Sequence, residues 1–293
     1  MNTLSSSFPA PAQPIETIGI EELTSAPVSP DQRPVLVTGL RATPEPWSPE
    51  LIADRAGSTE VPVTDIAGGD YMSAGHRTMT VREYLDAIAD PQPGAPIPYL
   101  SELSYDEHFP ELAAELVDPP HLPGERPSLR VMYLGRLVHS QTHFHTWGSA
   151  MLFCLHGAKV VRLFAPDQTD RMYKVDRRNF SDVLISSLGD DPPEYDRNRF
   201  PRFADAEYVE VTVRAGDVLY IPIYWWHSIQ NFDEISLTAV YFWTQMWRES
   251  WRLAVPPRLP PPGMRSDYWW DLVSRARHQP KELARTLTSR AAG

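Results

Sequence analysis

His143 and His145 stand two residues apart in the stretch Tyr133–Phe164, YLGRLVHSQTHFHTWGSAMLFCLHGAKVVRLF. Along an extended strand, side chains alternate between faces, so both imidazoles are expected on one face with Phe144 turned the other way into packing. Neutral imidazole suits Fe, Zn, Ni and Cu, and two neighbouring rings make half of a metal site. The third ligand must come from elsewhere in the chain. Residues 215–231, AGDVLYIPIYWWHSIQN, offer His227. There Gly216-Asp217 makes a tight turn into an apolar strand, Pro222 rigidifies the strand end, and His227 projects beyond it. Asn231 is placed to hold a ligand in orientation from behind.

The elements that must carry these residues read mostly as strands. From Leu129 onward the β-type runs are Leu129–Leu134, His143–His145, Met151–Leu155 and Lys159–Phe164, and they resume at Glu207–Val213, Val218–Pro222 and Ile235–Trp243. Two strand pairs, one with His-x-His and a turn at Gly157, the other with Gly216, Pro222 and His227, fit a double-stranded β-helix, the cupin or jelly-roll barrel. The fold class expected is therefore mainly β with α. Between these sets lies an insertion, 165–206, of low periodicity, with Asp190-Asp191-Pro192-Pro193 and Phe200-Pro201. A segment of that length between core strands commonly acts as a lid or substrate-binding loop.

Upstream, residues 16–128 read as an α/β cover of the barrel, preceded by a loose Ser-, Pro- and Ala-rich arm over 1–15. Arg33–Leu40 predicts a strand stopped by Gly39, and Ser48-Pro49 predicts a helix start, with Gly57 as its stop. Val61 and Val63 alternate as in a second strand, and Thr80 with Glu83 forms a capping box. Between 90 and 128 prolines interrupt every pattern, so irregular structure is expected, with one short helix near Glu111–Val117. The barrel is expected over 129–246 and a helical segment over 247–293, where Trp247 and Trp251, Trp269 and Val273, and Leu283 and Leu287 lie four apart. Pro256–Pro262 separates those helices, which suit either packing on the core or a homodimer interface.

The chain has 293 residues, 42% of them hydrophobic, enough for one large domain with appendages. A net charge of -11 argues against nucleic acid as a partner. No apolar run is long enough for a membrane helix, and the N-terminus lacks the grammar of a secretory signal. A single cysteine, Cys154, excludes an internal disulfide and a Cys-based zinc cluster, so a cytoplasmic location is expected. There is no Gly-x-Ser-x-Gly, Walker-type or dinucleotide Gly-rich motif.

Taken together, RPVLVTGL, WSPELIADRAG, TVREYLDAI, YLSEL, FPEL, YLGRL, GAKVVRLFAPDQ, NRFPRF and AGDVLYIPIYWWHSIQN resemble, in order over roughly residues 16–246, the JmjC and cupin-like family of Fe(II)/2-oxoglutarate oxygenases, of the asparaginyl-hydroxylase type. In that family a His-x-Asp/Glu pair and a distant His hold iron on one face. The resemblance implies iron ligation by His143 and His227, and a grip on the far carboxylate of 2-oxoglutarate by Lys159. It implies further contacts to that cosubstrate from Ser140, or Thr142 beside it, and from Tyr133, with Asn231 in the same pocket. Trp147, Trp225 and Arg178 are candidates for the substrate pocket.

His145 is the departure, because the family has a carboxylate there. One extra residue also separates His143 from Gly157, which predicts a bulge near Trp147-Gly148, and Ala150 stands where many relatives carry Asn. Three readings follow: a three-His site that still uses 2-oxoglutarate, a three-His dioxygenase whose substrate binds the metal directly, or a barrel that has lost its metal and serves as a scaffold. A lysine pointing into a barrel is costly unless it meets an anion, and Lys159 therefore favours the first. The function implied is oxidation, by default hydroxylation, of an unactivated C–H in an amino-acid-derived small molecule or a peptide, with Fe(II), 2-oxoglutarate and O2.

Overall fold

A computed structural model describes residues 14–20, 33–41, 43–67, 70–91, 96–117, 129–146, 148–175, 179–183, 195–232, 234–244, 262–266, 269–270 and 273. Most of the arm expected over 1–15, most of the helical segment over 247–293, and the pocket candidates Trp147 and Arg178 lie outside the described residues. In chain order the main elements are β1 (Glu16–Gly19), β2 (Val35–Thr38), α1 (Pro49–Ala56), β3 (Glu60–Ala67), β4 (Asp70–Thr80), α2 (Val81–Ala89), β5 (Ile97–Ser104), β6 (Leu129–Gly135), β7 (Gly148–His156) and β8 (Ala158–Phe164). They continue with β9 (Tyr208–Arg214), β10 (Val218–Ile221), β11 (Trp226–Asn231) and β12 (Ser236–Thr244).

Among the described residues, the strands form two sheets. The larger runs β1-β2-β10-β7-β12-β6-β5-β3-β4 and the smaller β11-β8-β9. Between them lies an apolar interior that includes Val131, Leu152, Val161, Leu163, Val240 and Phe242. This is the jelly-roll architecture expected of a cupin. Alternation along β8 sends Lys159, Val161 and Leu163 inward, and their partners on β11 are Asn231, Ile229 and His227. One face of the small sheet thus carries His227 at one end and the Lys159–Asn231 pair at the other.

The opposite face of the large sheet is covered by α1 and α2, whose Ile52, Tyr84 and Ile88 join Trp47, Leu100 and Tyr241 in a second core. Local chemistry sets both helix starts. Ser48 accepts the Leu51 N–H at 3.3 Å ahead of Pro49. Thr80 and Glu83 cap one another reciprocally, the Thr80 N–H reaching the Glu83 carboxylate at 2.8 Å and the Glu83 N–H reaching the Thr80 hydroxyl at 3.2 Å. Tyr84 then ties cover to barrel: its hydroxyl donates to the Leu134 carbonyl and accepts from the Leu100 N–H at 3.3 Å.

A third cluster, on the outer face of the small sheet, joins Phe144, Phe164 and Trp226 to Met172, Phe203 and Met264. The described part of the insertion 165–206 is therefore packed structure. Its residues 179–183 run beside the histidine pair, with Ser181 N–H to Thr142 O at 2.9 Å and Phe144 N–H to Asn179 O at 3.1 Å.

Several sequence expectations need correction. His143–His145 is not part of a strand: His143 forms isolated bridges with His227 and Phe180, and its neighbours take their partners from different segments. The alternation survives, with Phe144 buried. The irregular stretch expected over 90–128 contains β5, which starts at the edge of its proline cluster and pairs with β3 and β6. The bulge does not fall at Gly148, which pairs with Thr244. The register slips instead where Thr238 faces Cys154 and Leu237 faces His156, making Leu155 the extra residue.

The turn between β7 and β8 depends on Gly157, at φ +69°, where a Cβ would lie 2.3 Å from the Ile235 carbonyl oxygen. Gly157→Ala combines left-handed strain with that clash. It is expected to cost at least about 2 kcal/mol, read as a lower denaturant midpoint at constant slope.

Candidate metal centre

The three histidines converge. Their ring centroids are 5.3 Å apart for His143–His145, 4.3 Å for His143–His227 and 4.7 Å for His145–His227. One ring nitrogen from each lies within 4.8 Å of the others. The backbone enforces this approach, because His143 and His227 exchange hydrogen bonds at 3.0 and 2.7 Å between their N–H and C=O groups. His145 is held by its carbonyl, which accepts the Tyr224 N–H at 3.1 Å, and by its ring, which meets Phe242 edge-on at 5.2 Å.

Two carbonyls fix the ring orientation. His143 Nδ1 lies 2.8 Å from Gln141 O and His227 Nδ1 lies 3.0 Å from Trp225 O. A carbonyl only accepts, so each Nδ1 carries the proton and each Nε2 presents its lone pair to the cluster. Burial lowers the pKa of both rings. The drop is large for His227, which also faces His143 and His145, while the carbonyl bonds work weakly the other way. Neutral imidazoles are the ligand form.

A divalent transition ion fits this set. The donors are three neutral nitrogens on one side, close enough for one ion to reach after small ring rotations, and no carboxylate joins them among the described residues. With an ion bound, the site carries uncompensated positive charge and is suited to an anionic ligand.

Further into the barrel the chemistry changes from imidazole to donor-rich. Lys159 is 2% exposed and, among the described residues, has no carboxylate within ion-pair distance. Burial pulls its pKa down to about 8, and the nearby Cys154 thiol acts weakly in the other direction. Burial likewise pushes Cys154 up to about 11, with Lys159 opposing. Beside Lys159, the buried Asn231 Nδ2 has no hydrogen-bond partner among the described residues. It lies 3.5 Å from where Gly135 would carry a Cβ, a space also filled by the Tyr99 ring, so the two sheets touch here and only glycine fits.

The other pocket candidates are placed less uniformly. The Ser140 hydroxyl accepts the Ile229 N–H at 2.9 Å, which leaves its own proton to donate. Thr142 is buried, and its hydroxyl is unpaired among the described residues. Tyr133 stands on the interior face of β6, 6.3 Å from the Tyr99 ring, and its hydroxyl points to Glu102 at 3.4 Å. Trp225 packs against the barrel interior, whereas Trp226 faces the outer cluster and donates to Thr169 at 3.1 Å. His139 is buried outside the cluster, next to Arg162, with a pKa pushed down to about 4 chiefly by burial. Ser236 and Thr238, both buried with hydroxyls unpaired among the described residues, escaped the sequence reading. The signal was there: Ser236, Thr238 and Val240 share one parity of β12, and that parity faces the barrel.

Comparison with known proteins agrees with this architecture. The family model described as a cupin-like domain matches residues 22–248. Lysine-specific demethylase 8 of Xenopus tropicalis is 30% identical over 233 residues, covering 73% of this chain and 48% of that protein. HSPB1-associated protein 1 of Homo sapiens is 27% identical over 125 residues, 42% of this chain and 25% of that one. JmjC domain-containing protein D of Dictyostelium discoideum is 28% identical over 78 residues, 27% of this chain and 17% of its own. The chain thus spans about half the length, or less, of these curated relatives. No helix among the described residues is long and apolar enough to cross a membrane. With the family model covering most of its length, and a JmjC-type relative 30% identical over 73% of it, the chain belongs to the JmjC-type, cupin-like family.

Proposed function

We propose that this protein is a non-haem iron oxygenase that consumes 2-oxoglutarate and O2 and oxidises a C–H bond of an amino-acid-derived small molecule or peptide. The observation that carries this reading is Lys159: a buried cation without a carboxylate partner among the described residues, on the same barrel face as the three converging histidines. Such a cation is costly unless an anion enters. A metal-chelating dicarboxylate meets both needs at once, one end at the imidazoles and the other at the ammonium.

His143, His145 and His227 would hold the iron, which when bound supplies the redox chemistry that activates O2. The chain does the rest. The Gln141 and Trp225 carbonyls hold two imidazoles in register. Lys159 and Asn231 hold the far carboxylate, and Ser140 donates alongside. Phe242 and the apolar interior keep water from the reacting carbon. A net charge of -11 suits a basic substrate better than an acidic one.

Anaerobic addition of Fe(II) and then 2-oxoglutarate tests the proposal. A weak visible charge-transfer band is expected only when both are present. Iron binding without that band would point to direct substrate chelation, and no metal binding at all would reduce the protein to a scaffold.

A further inference from the structure

The Lys159 end of the barrel carries more hydrogen-bond donors than Lys159 and Asn231. Thr238 pairs across β12 with Tyr133 on one side and Cys154 on the other, and Ser236 pairs with Gly135. Residues opposite one another in antiparallel strands project to the same face. Ser236 and Thr238 therefore face the place where Asn231 Nδ2 comes against Gly135 from the opposite sheet. Both hydroxyls are fully buried and make no hydrogen bond among the described residues, and Asn231 Nδ2 is also unpaired. Each such group costs free energy when left unsatisfied.

Three buried polar groups without partners among the described residues, on strands that also carry a buried ammonium, call for an acceptor. A carboxylate is such an acceptor, with about four lone-pair sites and no proton of its own. We propose that Ser236 and Thr238 donate to the same carboxylate that Lys159 recruits, so that one ligand is gripped from both sheets at once. Lys159 and Asn231 hold it from the small sheet, and the two β12 hydroxyls hold it from the large one. This rests on the cosubstrate reading above. It adds two positioning residues that set which dicarboxylate fits and make the ligand a strut between the sheets.

Calorimetry on the Mn(II)-loaded protein tests it with two probes. 2-Oxoglutarate can chelate the metal; glutarate keeps both carboxylates but lacks the keto group. Thr238→Val, which removes only the hydroxyl, and Ser236→Ala are each expected to weaken both probes about tenfold, the worth of one hydrogen bond to a charged group. The ratio between the probes should stay that of the wild type, and Thr238→Ser should restore binding. The ligand-free Thr238→Val protein should melt no lower than wild type, because an orphan polar atom has been removed. Should Thr238→Val fail to fold, Ser236→Ala and Thr238→Ser carry the test. Unchanged affinity for both probes would make the hydroxyls merely structural. Loss of 2-oxoglutarate binding alone would place their effect at the metal end and also overturn the proposal. A wild type that binds neither probe removes the cosubstrate reading and this inference with it.

Discussion

Lys159→Met is expected to give a protein that melts several degrees higher than the wild type and no longer binds 2-oxoglutarate. Burial holds the Lys159 pKa near 8 in the folded chain against 10.5 for a free lysine. A displacement of that size is worth roughly 3 kcal/mol. The sign follows from proton counting. Between about pH 8 and 10.5 the unfolded chain binds more protons at this residue than the folded one, so stability rises with pH across that window. Below about 8 the penalty is present in full, and at neutral pH the folded protein carries a buried charge that opposes folding. Methionine keeps most of the stem's packing and discards the charge. The same substitution deletes the principal cation of the carboxylate site. In the wild type, 2-oxoglutarate affinity should fall as pH rises through about 8, where the free protein loses the ammonium; in Lys159→Met that dependence should vanish. Thermal melts with and without ligand, taken across that range, report both effects. A destabilised Lys159→Met that still binds would show that the lysine is held by the fold for another reason.

The largest effect on the metal is expected at His145. His145→Ala leaves two imidazoles and should lower divalent-ion affinity by at least about a hundredfold, because the remaining donors hold an ion from one side only. His145→Asp is the more informative change. It restores a negative ligand but sets it on a shorter side chain, so total affinity should fall between that of Ala and wild type, and the order of metals should change. Three neutral imidazoles favour Zn(II), Ni(II) and Co(II) over Mn(II), while an oxygen ligand narrows that gap. Competition titrations with these four ions on the wild type and both variants measure it. Wild-type affinity in His145→Ala would remove His145 from the ligand set, even though its ring sits 4.7 Å from that of His227.

Much of the barrel could be read from the sequence because its strands alternate cleanly. The apolar runs of β8, β10 and β12 each fill one side of an interior, and Gly157 and Gly216 mark the turns. The sequence places the two histidines on one face, as the structure does, but on the wrong backbone. Residues 138–143 lie along β11 through scattered bonds such as Ser140 N–H to Ile229 O at 2.8 Å, so no ladder forms, while side-chain alternation persists. β4 left no signature because its described side chains are largely exposed, and pairing with β3 holds it. β5 was hidden by Pro98, tolerated next to a strand start. Ser236 and Thr238 look like ordinary strand residues until the fold shows them buried without partners among the described residues. Sequence displays donors, but only the fold reveals which of them go hungry.

The slip at Leu155 has a consequence for how this barrel could have been lengthened without losing its chemistry. A single residue added to a strand inverts the facing of everything after it, and here such an inversion would turn the ammonium of residue 159 away from the barrel interior. By discharging the odd residue at one joint, just before the turn, β7 keeps downstream parity intact. Deleting Leu155 should therefore be gentler than adding a residue anywhere between Ala158 and Leu163. The joint works as an expansion gap: length may vary on one side of it while aim is preserved on the other.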